Sequence, residues 1–207
     1  MDSSIKPELG TREQLIITAE RLFAQRGIHA VSLRAIGTAA GQRNSSVTQY
    51  HFGDKATLLD AIFDYRMTSI NEQRMSHLAT MRADGRGDEL RSLIEAFLLP
   101  LAASVAKPGS YYARFLATFS ADPRYQTSWD WKTAESLRLV WGGLRRCLSH
   151  LPESTVQARL RMLEHLVLHT IADHERAGEL GDCGHREPRV TELVDAAEGL
   201  LTAPTTG

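Results

Sequence analysis

Residues 44–52 carry a dense set of small and hydrogen-bonding side chains. They read Asn-Ser-Ser-Val-Thr-Gln-Tyr-His-Phe and begin shortly after a glycine, Gly41. Side chains of this kind let a helix backbone approach the major groove of DNA and hydrogen-bond to the base edges. A helix that only packs into a core would not expose Asn, Ser, Thr and Gln so densely. The composition therefore predicts a DNA recognition helix.

A second group of residues has metal-ligand spacing. His165, His169 and Asp173 recur four residues apart, on one face of a predicted helix. That spacing could ligate a metal, although Glu164 precedes the first histidine and the zinc-protease pattern HExxH is not formed. A helical metal-dependent enzyme is therefore the alternative function, and a pair packed in a core or dimer face is the simpler interpretation. Since no nucleophile elbow, phosphate loop or dinucleotide fingerprint occurs, we predict no catalytic residue, metal or cofactor.

Composition limits the remaining classes of protein. The chain has 207 residues, 43% of them apolar, and a net charge of −1. Residues 1–55 hold seven Lys/Arg against five Asp/Glu, so the N-terminal quarter is the basic part and suits a polyanion there. The two cysteines lack metal or disulfide spacing, and no apolar run is long enough to cross a bilayer. We expect a cytoplasmic protein with no membrane partner.

The elements that position these residues are all predicted to be helices, because apolar residues recur with helical period and Gly and Pro fall between the periodic stretches. Thr11, Ser32, Asn44 and Asp54 are the predicted helix caps. We expect helices at about 11–26, 33–40, 45–51, 55–81, 88–106, 111–121, 124–150, 153–177 and 189–202. Two short helices joined by a glycine-containing turn behind a longer one describe a helix-turn-helix.

At these residues the sequence resembles the tetracycline-repressor (TetR) family of bacterial regulators, over roughly residues 11–65. The resemblance rests on Arg12, Ala19-Glu20-Arg21-Leu22-Phe23, Gly27, Ser32-Leu33-Arg34-Ala35-Ile36, Ala40-Gly41, Tyr50-His51-Phe52-Gly53-Asp54-Lys55 and Leu58-Leu59. It implies an all-α fold with a three-helix helix-turn-helix DNA-binding domain at 11–54 and a helical-bundle ligand-binding and dimerisation domain at 55–202.

The sequence departs from the family pattern in the turn. Eight residues, 42–49, separate Gly41 from Tyr50, whereas seven are common in the family. Gly37 stands at a position where the family usually has an alanine. Thr48 falls where an apolar residue is usual, so we expect Val47 to pack in its place. The register of the recognition helix depends on how the additional residue is accommodated.

The resemblance implies roles for individual residues at the DNA. Ser45, Ser46, Gln49 and Arg43 are predicted to read base edges, and Tyr50, His51 and Lys55 to bind phosphates without reading sequence. Packing of the Tyr50 ring on the first helix, and a buried structural His51, are the competing interpretations. The predicted DNA-binding set is Ser32, Arg34, Arg43, Asn44, Ser45, Ser46, Gln49, Tyr50, His51 and Lys55.

The resemblance also implies a homodimer that binds a palindromic operator on double-stranded DNA and is released by a small-molecule effector, more often a repressor than an activator. Aromatic residues concentrate in the middle helices, Trp129 and Trp131 among them, and favour an apolar or aromatic effector, although core packing explains such spacing equally well. The predicted effector-binding residues are Phe97, Tyr111, Tyr112, Phe115, Phe119 and Trp141. We expect the dimer surface on helices 153–177 and 189–202, and the long fourth helix to transmit the effector signal. A ligand-sequestering protein with a purely structural helix-turn-helix stays as a further alternative.

Overall fold

The computed structural model describes residues 10–44, 46–106, 109–122, 135–179 and 190–205, and every regular element in those ranges is an α-helix. The helices are α1 Thr11–Arg26, α2 Leu33–Ala39, α3 Val47–Phe52, α4 Lys55–Ala83, α5 Leu90–Val105, α6 Tyr112–Ser120, α7 Glu135–Cys147, α8 Glu153–Glu179 and α9 Val190–Thr202. The all-α prediction is therefore confirmed. Residues 124–134 of the seventh predicted helix, with Trp129 and Trp131, lie outside the described residues. None of the described helices is long and apolar enough to cross a membrane.

The first helix forms as its apolar period predicts. Every residue of its predicted face is buried, at Leu15, Ile16, Ala19, Leu22 and Phe23. Gly27 ends the helix with φ +83°, a backbone conformation that other residues rarely adopt, and its N–H donates to the carbonyl of Phe23 at 2.9 Å. The predicted cap at Thr11 is wrong. Thr11 is the first helical residue, and Gly10 takes the N-cap position without a side-chain hydrogen bond.

The cap predicted for the third helix is also wrong. Asn44 does not cap α3: its side chain accepts a hydrogen bond from the N–H of Ser46 at 2.9 Å, which forms a local turn before the helix. Ser46 then occupies the N-cap position and α3 begins at Val47. Five residues therefore separate Gly41 from Val47, and α3 is short, with six residues.

The long fourth helix joins the N-terminal helices to the rest of the chain. Its start is fixed by Asp54, whose carboxylate accepts from the N–H of Thr57 at 2.8 Å. Its 29 residues extend over about 44 Å. The predicted buried face is confirmed, at Leu58, Leu59, Ile62, Phe63 and Ile70.

The N-terminal helices and the C-terminal bundle share one continuous core. Phe115 of α6 packs 6.3 Å from the ring of Phe23 in α1 and 5.3 Å from the ring of Phe63 in α4, and Phe119 lies 4.8 Å from Phe63. Because α6 packs directly on α1, the bundle contacts the N-terminal helices by a second route besides α4.

Candidate nucleic-acid interface

The turn between α2 and α3 presents the polar stretch to solvent. Ser32 caps α2, since its hydroxyl accepts from the N–H of Ala35 at 3.1 Å. Gly41, with φ +72°, reverses the chain after α2. The side chains of Arg34, Arg43 and Asn44 are exposed along this edge. Ser45 lies outside the described residues, so its base contact stays a prediction.

The short third helix has two distinct faces. Thr48 and Phe52, one turn apart, point into the core, while Ser46, Gln49 and Tyr50 are exposed. Val47 also packs on the core but stays half-buried, so the expectation that it replaces Thr48 is wrong. The Thr48 hydroxyl is fully buried and has no hydrogen-bond partner among the residues that the structure describes. A hydroxyl therefore stands at a position whose environment suits a methyl group.

Tyr50 is 86% exposed, so its ring does not pack against α1. The ring instead contacts the half-buried ring of His51 edge-on, with centroids 5.4 Å apart. Phe52, by contrast, is core, and the Arg12 guanidinium lies 5.1 Å above its ring. Two neighbouring polar aromatic side chains therefore stand at the solvent-facing end of α3, where each keeps a hydrogen-bonding group.

Lys55 can serve both the candidate DNA-binding surface and the packing of the helices. It lies in the first turn of α4, and its ammonium donates to the carbonyl of Ile28 at 2.9 Å, which ties α4 to the segment between α1 and α2. Partial burial lowers the pKa of Lys55 from its ordinary value. The ammonium has further N–H groups. It can therefore hold Ile28 and an external anion at the same time.

The Gln49 side chain folds back along α3. Its amide nitrogen donates to the carbonyl of Gly53 at the end of α3. Reading a base edge with both amide groups requires the side chain to leave this contact, because a bidentate contact to adenine uses the amide oxygen and nitrogen together.

The predicted effector-binding residues fall into two groups. Phe115 and Phe119 pack among aromatic rings of α1 and α4, and Arg114 lies 4.3 Å above the half-buried Tyr111. Phe97 and Trp141 form a separate pair between α5 and α7, with ring centroids 5.3 Å apart. Tyr112 is fully buried. The ring contacts among the described residues therefore form two groups, and effector binding by the six residues stays a prediction.

The histidine face of α8 shows no metal geometry. His165 and His169 are both exposed, with ring centroids 6.0 Å apart, and Asp173 pairs with Arg176 at 2.7 Å. Among the described residues, no group of three or more His, Cys, Asp or Glu side chains could hold a metal ion. The metal-enzyme alternative has no support from this geometry.

Two buried ion pairs were not predicted from the sequence. Glu20 of α1 is 1% exposed and accepts two hydrogen bonds from Arg66 of α4, at 2.6 and 2.7 Å. Burial raises the pKa of Glu20, and Arg66 opposes the rise. Glu175 of α8 accepts from the backbone N–H of Arg114 at 3.0 Å and pairs with its guanidinium at 3.2 Å. The helical periodicity indicates that Glu20 is buried, because it lies four residues after the buried Ile16 on the same face of α1.

Two family models match the chain. A model described as "Bacterial regulatory proteins, tetR family" matches residues 15–62, and one described as "Tetracyclin repressor-like, C-terminal domain" matches residues 95–203. The first match contains the entire α2-turn-α3 surface and the start of α4. The second covers more than half of the chain.

Relatives and solved structures agree with this match. The chain is 31% identical over 97 residues to the HTH-type transcriptional regulator AcrR of Shigella flexneri, covering 47% of this chain and 43% of that protein. It is 39% identical over 83 residues to the probable HTH-type transcriptional regulator ArpR of Pseudomonas putida, covering 40% of this chain and 36% of that protein. These alignments span less than half the length of either relative.

The solved structures support the fold. A TetR family transcription regulator from Marinobacter aquaeolei VT8 superposes with a TM-score of 0.58 at 20% identity, covering 92% of this chain and 94% of that one. Mycobacterium smegmatis AmtR superposes with a TM-score of 0.57 at 16% identity, covering 97% and 90%. At these identities the likeness concerns the arrangement of helices alone.

Proposed function

The chain belongs to the tetR family of bacterial regulatory proteins, and on that premise we propose that it is a ligand-responsive transcriptional repressor that binds a palindromic DNA operator as a homodimer. Residues 11–54 bind DNA, and residues 55–202 bind the effector and the second subunit. The regulator acts in the cytoplasm. The observation that carries the DNA-binding part is the exposed polar face of α3, next to the ammonium at the start of α4.

The proposed DNA contacts are of two kinds, to base edges and to phosphates. Ser46 and Gln49 read base edges from the exposed face of α3, with Ser45 and Arg43 beside them. Tyr50, His51 and Lys55 bind phosphates and set the orientation of the helix, as does the Ser32 cap. Arg34 and Asn44 line the same edge. The support is that the described members of this set are at least partly accessible while Thr48 and Phe52 anchor the helix from behind.

Selection of the purified protein against a random duplex DNA library tests this function. We expect an enriched palindrome whose half-sites lie about one helical turn apart or somewhat more. Binding to the selected duplex is then compared between wild type, Ser46→Ala/Gln49→Ala and the matched control Gln25→Ala, which changes an exposed glutamine of α1. Absence of enrichment at moderate salt contradicts the operator function and favours a ligand-sequestering protein. Equal binding of the selected palindrome by all three proteins removes Ser46 and Gln49 from the base-reading set.

The dimer surface is proposed on the outer face of α8 and the end of α9. Many apolar residues of these two helices are core within one subunit, including Leu163, Val167 and Val194. An open groove of about 610 Å³ lies beside them instead, with Met162 55% exposed in its wall. Exposed methionine in an apolar groove is typical of a surface that packs against a partner.

Light scattering of two charge variants tests the dimer surface. Met162→Glu places a carboxylate in the groove and is expected to convert dimers to monomers, because an unpaired charge cannot be buried at an interface. Met75→Glu, at an exposed methionine of α4, is the matched control. A monomeric wild type, or a Met162→Glu variant that stays dimeric, overturns this assignment.

Effector binding is proposed to alter the spacing of the two recognition helices. Binding to DNA and to effector must then weaken each other by the same factor. The signal has two routes, α4 and the α1–α6 contact, which carries the Phe23–Phe115 packing. Release of the selected operator by a small molecule, with reciprocal loss of that molecule's affinity when DNA is bound, is the expected result.

A further inference from the structure

Arg12 is an exposed cation in the first turn of α1, and none of the DNA contacts proposed above uses it. Its guanidinium forms no ion pair or hydrogen bond with any residue that the structure describes. The neighbouring carboxylate, that of Glu13, accepts a hydrogen bond from the hydroxyl of Tyr65 in α4 at 2.7 Å. The positive charge of Arg12 is therefore available to a partner molecule.

The guanidinium of Arg12 has a defined place beside the third helix. Its central carbon lies 5.1 Å from the centroid of the Phe52 ring. Phe52 is the last residue of α3 and is 4% exposed, so the core fixes its ring. A guanidinium over an aromatic face is attracted by the ring and keeps its N–H groups for other acceptors. Phe52 therefore orients Arg12 as well as anchoring α3.

Arg12 also continues a row of side chains that includes two proposed phosphate ligands. The ring centroids of Phe52 and His51 are 6.2 Å apart, and those of His51 and Tyr50 are 5.4 Å apart. Arg12, Phe52, His51 and Tyr50 thus follow one another by direct contact. Because the phosphates of a DNA strand also follow one another at regular intervals, the donors of this row suit several phosphates of one strand.

A second contact joins the first turn of α1 to the candidate surface. The side-chain amide of Gln42, in the turn between α2 and α3, donates to the amide oxygen of Gln14 at 3.4 Å. The beginning of α1 therefore contacts the chain on both sides of the exposed polar residues, at Gln42 before α3 and at Phe52 at its end.

We propose that Arg12 is a further phosphate-binding residue, and that the DNA backbone runs from Tyr50 and His51 onto the first turn of α1. The guanidinium donates to a phosphate oxygen while the Phe52 ring holds it in place, a contact that adds affinity without base preference. This inference rests on the proposed operator function and extends its phosphate-binding set to the helix that supports the helix-turn-helix. The competing role is structural, with Arg12 only bracing α1 against α3.

Salt titrations of DNA binding distinguish these two roles. The affinities of the wild type and of Arg12→Ala are measured for the selected operator and for a scrambled duplex of the same length, between about 50 and 200 mM salt. We expect Arg12→Ala to weaken binding to both duplexes alike, by about tenfold at the lowest salt. The slope of log affinity against log salt should fall by about one per half-site, because one phosphate contact is lost there.

Two further variants make the measurement specific. Arg26→Ala is the matched control, since it removes the same charge from an exposed arginine at the other end of α1, about 21 Å along the helix. It should keep the wild-type slope. Arg12→Lys keeps the charge without the planar fork, so it should restore the slope and only part of the affinity. Thermal unfolding of each variant records any structural contribution separately.

The outcomes separate this inference from the proposed function. A wild-type slope in Arg12→Ala overturns the phosphate role and leaves Arg12 as a brace between α1 and α3. An equal loss of slope in Arg26→Ala, or an Arg12→Lys variant that does not restore it, overturns the phosphate role as well. A wild-type protein without salt-dependent binding to either duplex overturns the operator function itself, and the role of Arg12 with it.

Discussion

Polar residues occur in two contrasting settings in this protein. On the outer face of α3, Ser46, Gln49 and Tyr50 point into solvent and make local contacts within a few residues of chain. In the interior, Glu20 of α1 and Arg66 of α4 are 46 residues apart in sequence. The Arg66 Nε donates to the Glu20 carboxylate at 2.6 Å, and Glu20 has almost no access to water. The first setting leaves hydrogen-bonding groups for a partner molecule, and the second uses them within the fold.

The difference predicts which property a substitution changes. An exposed polar side chain contributes little to folding, so its removal alters binding and leaves stability nearly unchanged. A buried ion pair leaves an uncompensated charge when one member is removed, so its loss appears as instability. The following substitutions test this division, from the largest expected effect to the smallest.

Arg66→Met should cause the largest loss of stability. It leaves the Glu20 carboxylate buried without its guanidinium, which costs about 3 kcal/mol of unfolding free energy at neutral pH. The pKa of Glu20, already raised by burial, then rises further above its unfolded value. Since the folded variant retains the proton while the unfolded chain releases it, stability falls as pH rises through this interval.

Urea denaturation at pH 5.5 and pH 8 measures this effect, with Arg82→Met, an exposed arginine of α4, as control. A variant as stable as the wild type at pH 8 would show that the buried pair does not hold α1 against α4.

Gln49→Ala should have the opposite effect to Arg66→Met, because it should change DNA binding and leave stability nearly unchanged. We expect relaxed base preference at one position in each half-site, a loss of about 1–3 kcal/mol in discrimination, because the amide no longer reads a base edge. The unfolding free energy should change by less than about 0.5 kcal/mol. Repeating the library selection with the variant measures the preference. Retention of the wild-type motif would remove Gln49 from the base-reading set.

Lys55→Ala should affect both properties, because Lys55 belongs to both settings. Loss of the bond to Ile28 should lower the unfolding free energy by about 1 kcal/mol. Loss of a phosphate contact should weaken binding to all sequences alike and reduce the salt-dependence slope by about one per half-site. Titrations at several salt concentrations give the slope, and Lys55→Arg should preserve it. A slope unchanged in the alanine variant would mean that Lys55 serves the fold alone.

Thr48→Val should produce the smallest effect, and a stabilising one. The Thr48 hydroxyl is buried and finds no partner in the described part of the chain, so a methyl group in its place should raise the unfolding free energy by up to about 1 kcal/mol. DNA preference should not change, because the side chain points away from the exposed face of α3. Thr38→Val is the control, since the Thr38 hydroxyl is bonded to the carbonyl of Arg34. A destabilised Thr48→Val protein would indicate that the hydroxyl has a partner in solution.

The sequence was sufficient to predict the helices and the polar face of α3, because both depend on short-range physics. Helical period places Leu15, Ile16 and Phe23 on one side of α1 whatever packs against them. The Ser32 cap needs only a hydroxyl three residues before a free N–H. The short-range prediction failed where two local solutions compete, as at Asn44, whose side chain bonds to Ser46 and delays the start of α3.

Only the tertiary structure determined the partners of the buried charges and the separation of the aromatic residues into two groups. Glu20 meets Arg66, and Arg74 meets the carbonyl that Pro100 leaves unbonded, through contacts between helices distant in sequence. Likewise, Phe115 packs on α1 and α4 while Trp141 packs on α5. Periodicity states which face of a helix is buried but not against which helix, because that choice depends on how all the faces fill the core together.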